Sequence, residues 1–307
     1  MQSRQICDFS RTFGAPVALA IFVACAPMRT NAQGSGRIDK PTPVATSCPK
    51  SSVFVRRGTL SIGSNDGSLG ANPPHLASVA AFCIQKTEVT VADYQACVDA
   101  RACLGGFRDV ADDSTTPSAR GELCNTRHPE RSDSPMNCVD WRMADQYCRW
   151  IGGRLPTEQE WEYAARGTDG RDYPWGNAIP DERHVNGCIG ACADRMQQLG
   201  PLRDSSVPGM DPLAEGAPFV TSPPVGKPSD GASPFGVLNT ADSVSEWTST
   251  SWCKYEGTDC MADGAVLRGG CWASLRPNEF MSAKRAGVPV TFHGHCAGIR
   301  CAFSAER

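Results

Sequence analysis

The sequence predicts a mixed α+β domain with few helices, short strands and long ordered loops. Three observations carry this. Glycine and proline number 30 and 23 of 307 residues, which means many turns and little regular structure. Helical start and stop signals occur together in three short stretches. The strand-like runs are brief and bounded by turn residues.

Helix signals begin at Thr90, an N-cap with Asp93 three residues on, ahead of "VADYQACVDA". Asp140 caps a second helix, "WRMADQYCRWIGG", which puts Trp141, Ala144, Cys148 and Ile151 on one face. Gly152-Gly153 stops it. In "LPTEQEWEYAARG" Thr157 and Glu160 form a capping box and Gly167 ends the helix. Strands are expected at "GTLSIGSNDGS", at "ASVAAFCIQKTEVT" read as one run, at "AVLRGGCWA" and at "CAGIRCAFS". Residues 101–135 and 178–234 read as loops. Loops of that length in a compact domain carry function or need staples.

Length allows one large domain or two small ones. A 40% hydrophobic and 21% charged composition is that of a soluble globular protein. The net charge of -3, with no basic stripe, gives no footprint for nucleic acid.

The first residues read as an export signal. Arg4 and Arg11 precede "APVALAIFVA", an apolar run too short to span a bilayer as a helix. Ordinary cleavage after Ala32 is one reading. The other takes "FVAC" as a lipobox, with the signal ending at residue 24 and Cys25 as a lipid anchor at the cell envelope. Residues 33–47 follow as a linker, and the globular part spans 48–307. Cleavage after Ala32 removes three Arg and one Asp, leaving 27 basic and 32 acidic residues, a net of -5. Of the 16 cysteines it removes Cys7 and Cys25, so an even 14 remain. That count in a secreted or periplasmic chain implies disulfides. Cys97–Cys103, Cys188–Cys192 and Cys253–Cys260 are near enough in sequence to pair locally, and Cys124–Cys138 can close one loop. Cys48, Cys83, Cys271 and Cys296 are left without an assigned partner, because sequence alone does not fix connectivity.

The block "NCVDWRMADQYCRWIGGRLPTEQEWEYAARG…YPWGN" resembles the formylglycine-generating enzymes, or sulfatase-modifying factors. "TEVTVADY", "SVSEWTS", "VLRGGCW" and "GIRCA" extend the resemblance in family order over nearly all of residues 50–304. It implies one domain of modified C-type-lectin-like fold with short antiparallel strands. It also implies a structural bridge between Cys148 and Cys301; the family's second bridge has no counterpart, since its helix-end position is Ala165.

Enzymes of this family oxidise a sulfatase cysteine to formylglycine with copper and oxygen, using two loop thiols. Cu(I) selects such soft ligands. The family loop reads G-G-S-x-x-C with a second cysteine further on. Aligned on Gly269-Gly270, its serine position is Cys271, and its two catalytic positions are Ser274 and Glu279. Hydroxyl and carboxylate are hard donors, so copper is not expected. The resemblance also implies calcium at Asp242, Ser243 and Glu246, and at a second site involving Asn186; calcium needs six to eight oxygens. His293 and His295 alternate on a possible strand. Arg276, Lys284 and Arg285 read as a solvated charged surface or, second, an anion-binding groove.

The reading is therefore an exported, non-oxidase binding module for an unknown protein or glycan. The alternatives are an enzyme of altered chemistry with Cys271 as a reactive thiol, or a true formylglycine-generating oxidase.

Overall fold

The computed structural model describes residues 47–105, 124–187, 189, 224–226, 229–255, 257 and 259–305. The chain divides into Met1–Pro43 and Val44–Arg307, and everything described belongs to the second unit. The export signal, Cys25, nearly all of the linker and the Cys188–Cys192 pairing lie outside the described residues.

All three helices form where their caps direct. In α1 (Val91–Asp99) Thr90 accepts from Asp93 N and Asp93 reciprocates. α2 (Trp141–Trp150) starts at Asp140, whose carboxylate accepts from Met143 N at 2.8 Å. In α3 (Glu158–Arg166) Thr157 and Glu160 cap each other, and Gly167 ends the helix at φ +74°. That left-handed value suits glycine.

Among the described residues, nine short strands form three sheets. β1 (Ser52–Val55), β4 (Phe82–Gln85) and β9 (Ala302–Ser304) make an antiparallel sheet in the order β1-β4-β9. β2 (Gly58–Ile62) pairs with β3 (His75–Val79). The third sheet has the order β7-β6-β5-β8, from β7 (Arg285–Pro289), β6 (Cys260–Arg268), β5 (Ser245–Cys253) and β8 (Ala297–Gly298). Its β5–β8 pair is parallel and the rest antiparallel.

Two expected single strands are in fact broken. "ASVAAFCIQKTEVT" contains β3 and β4, because the chain leaves β2's side at Ala80-Ala81 and joins β1 and β9. "CAGIRCAFS" splits into β8 and β9, which belong to different sheets. No strand forms at His293 and His295. β1, β5 and β7 are strands the sequence reading did not mark.

The main core packs Tyr94, Met143, Tyr147, Leu155, Trp247 and Ile299 between α1, α2 and β5. A second cluster joins Val55, Leu60, Ile62, Phe82 and Ile84 to Tyr163 of α3. Cys148–Cys301 ties α2 to the residue before β9. Cys97–Cys103, Cys124–Cys138 and Cys253–Cys260 close local loops. The four unassigned cysteines pair as Cys48–Cys83 and Cys271–Cys296.

Candidate functional site

β6 ends at Arg268, and the loop that follows is pressed onto residues 240–243. A Cβ at Gly269 would come within 2.7 Å of Thr240 O, and one at Gly270 within 2.4 Å of Ala241 O. Only glycine permits that approach. The loop then closes on itself. Ser274 N donates to Cys271 O at 2.9 Å, and Cys271 N donates to Ser274 Oγ at 3.1 Å. Glu279 Oε2 accepts from Leu275 N at 2.6 Å and from Arg276 N at 2.9 Å. Trp272 N donates to Ser243 O at 3.0 Å, and the Trp272 ring lies 5.2 Å from that of His295.

Cys271, Ser274 and Glu279 thus share one loop, with each polar group committed to its architecture. Cys271 is bridged to Cys296, so no thiol stands there. The Ser274 hydroxyl and the Glu279 carboxylate hold backbone amides.

The residues expected around calcium converge only in part. Asp242 Oδ2 accepts from Asn186 N at 2.5 Å, so those two do meet. Asp242 Oδ1 accepts from Asn239 Nδ2 at 3.2 Å. The Ser243 hydroxyl is buried beside them without a hydrogen-bond partner. Glu246 is held by other partners: its oxygens take Arg300 Nε at 2.8 Å, Arg300 Nη2 at 2.7 Å and Trp161 Nε1 at 2.6 Å. Burial pushes the Asp242 carboxyl up to about 6, against the hydrogen bonds from Asn186 and Asn239.

Beneath the loop lies a set of buried ion pairs that sequence reasoning missed. Arg300 grips Glu246 with two donors, and Arg285 grips Glu158 at 3.0 and 3.1 Å. Arg268 bonds Glu162 and lies over the Trp161 ring at 5.4 Å. Arg285 was expected on a solvated surface but is 5% exposed, because Glu158 of α3 neutralises it inside. Of the three cations read together, only Arg276 is exposed; Lys284 is half-buried. The available signal was a lone charge flanked by apolar or glycine residues, as in "VLRGG" and "GIRCA".

A model of the sulfatase-modifying factor enzyme 1-like domain matches residues 39–305. The chain belongs to this family. It is 28% identical over 309 residues to the formylglycine-generating enzyme of Bos taurus, covering 90% of this chain and 74% of that protein. It is 30% identical over 184 residues to the inactive C-alpha-formylglycine-generating enzyme 2 of Bos taurus, covering 58% and 53% respectively. Among solved structures it resembles PvdO from Pseudomonas aeruginosa, with TM-score 0.57, 21% identity, and 82% and 94% coverage. Treponema denticola variable protein 1 matches with TM-score 0.56, 19% identity, and 86% and 100% coverage. The structural matches speak to fold alone, and the fold is the family's α+β, lectin-like one. Family membership spans both enzymes and proteins called inactive, so the residues of the loop must decide between them.

Proposed function

We propose that this chain is a non-oxidase member of the family, exported and acting as a binding module for a protein or glycan. One observation carries the reading. The positions of the family's two thiols hold Ser274 and Glu279, and both side chains are spent on backbone amides. A hydroxyl and a carboxylate are hard donors that do not fit Cu(I), and Cys271 offers no thiolate while bridged to Cys296. A nucleophilic Cys271 would first require that bridge to be opened. In this reading Arg300, rather than calcium, secures Glu246. Export is supported by six disulfides among the described residues, which persist in oxidising compartments. No described helix is long and apolar enough to cross a membrane. A lectin-like core that tolerates long variable loops suits recognition.

Competition for Cu(I) against a chromogenic chelator tests the reading. The chelator should keep its copper when the native, disulfide-bonded chain is added. Stoichiometric transfer of copper to the chain would overturn the proposal.

A further inference from the structure

A cavity of about 340 Å³ lies where the end of β2 and the turn after it meet the residues that close α3. That volume is at the low end for ligand pockets and suits one small ring rather than a chain. The cavity shares no residue with the Cys271–Glu279 loop. Leu60 and Pro74 give it an apolar wall, Ser64, Asn65 and Thr168 give hydroxyls and a carboxamide, and Arg166 gives a guanidinium. No carboxylate is among the described residues that line it.

The Arg166 side chain is 12% exposed and only partly used. Its Nε donates to Arg171 O at 2.6 Å, and its Nη1 to Gly63 O at 2.8 Å and Glu162 Oε1 at 3.0 Å. Among the described residues Nη2 has only a 3.4 Å contact, to Gly170 O, so it keeps donor capacity. Ser64 Oγ accepts from Asp66 N at 3.1 Å and keeps its own hydrogen to give. Charge points the same way. Arg166 and Arg268 share Glu162, and Arg285 takes Glu158. Three guanidiniums against two carboxylates leave one positive charge over, and Arg166 is the member at the cavity. Asp169 is matched by Arg171 at 2.5 Å, and Asp66 is exposed to solvent and does not line the cavity.

We propose that this cavity binds a single saccharide unit that carries a carboxylate. The inference rests on the reading of the chain as a binding module and names what one of its sites takes. A carboxylate oxygen at Arg166 Nη2 supplies the charge that the ion pairs lack, in a place where attraction is stronger than in open water. Sugar hydroxyls both donate and accept, as do the side chains of Ser64, Asn65 and Thr168. Leu60 and Pro74 suit the C–H face of the ring. A neutral sugar would leave Arg166 unmatched, and an acidic peptide side chain would leave the polar wall unused.

The test uses the full, disulfide-bonded chain and saturation-transfer NMR observed on the ligand. The probes are the methyl glycosides of glucuronic, galacturonic and mannuronic acid, the matching neutral hexosides, and a glutamate blocked at both ends. At least one uronide should bind. Its neutral counterpart should bind about ten- to a hundredfold more weakly, as loss of a hydrogen bond to a charge implies, and blocked glutamate should not displace it. Thr168→Tyr and Asn65→Tyr together should abolish binding by filling the mouth. Both positions are exposed, so the fold should survive, and the single variants decide if the pair does not fold. No binding by any uronide, equal binding of the neutral hexoside, displacement by blocked glutamate, or binding retained in the folded variants would each overturn the inference. None of these outcomes touches the non-oxidase reading, which the copper competition tests separately.

Discussion

Arg268, Arg285 and Arg300 are at most 5% exposed, and each is held by a carboxylate from another part of the chain. Removing one partner leaves an uncompensated charge in the core, which costs more than any surface pair. Glu158→Ala strips Arg285 of its two-donor partner. It should lower unfolding free energy by roughly 3–5 kcal/mol, read by urea denaturation; a loss within error would mean that water reaches the Arg285 site. Asp242 gives a pH signature. Its carboxyl sits at about 6 in the fold against an ordinary 3.8. Its stabilisation is therefore present near pH 4 and lost as pH rises through 6. Relative to Asp242→Asn, the unsubstituted chain in chelator should lose roughly 3 kcal/mol between pH 3 and 7. Parallel stability curves for the two chains would contradict this.

At the scale of elements, the helices were legible and much of the sheet was not. A cap is a local device: Thr157 and Glu160 sit three residues apart, and both bonds form. Thr157→Ala should cost about 1 kcal/mol in denaturant, as cap removals do. A strand such as β5 depends on distant partners. Its "SEWTSTSWC" has no clean alternation, yet β6 and β8 flank it and bury its first half. β3 and β4 read as one run because the switch of sheets at Ala80-Ala81 leaves no mark in the sequence. Disulfides divide in the same way. Local pairs could be guessed from spacing, whereas Cys271–Cys296 needed the fold that brings the two loops together. Cys148–Cys301 spans 153 residues and Cys97–Cys103 only 6. On loop entropy alone, removing the long bridge should cost about 5 kcal/mol and the short one about 2. Equal melting shifts for the two paired Cys→Ala variants would show that native strain or residual structure dominates.

For the whole molecule, the family scaffold persists, and on the proposed reading the chemistry of its oxidase loop does not. The scaffold was readable because its motifs recur in order from "TEVTVADY" to "GIRCA". On the proposed reading the loop was legible too, because aligning it on Gly269-Gly270 puts Ser274 and Glu279 at the family's thiol positions. What stayed hidden was the use of those two side chains as backbone acceptors, and the buried charges below them. Those depend on three-dimensional neighbours that no local pattern encodes. Incubation of the native chain with Cu(I), oxygen and a cysteine-containing sulfatase peptide, followed by peptide mass spectrometry, tests the central claim most directly. The peptide mass should be unchanged, because the loop supplies no thiolate pair. Copper-dependent conversion of its cysteine to formylglycine would contradict the account.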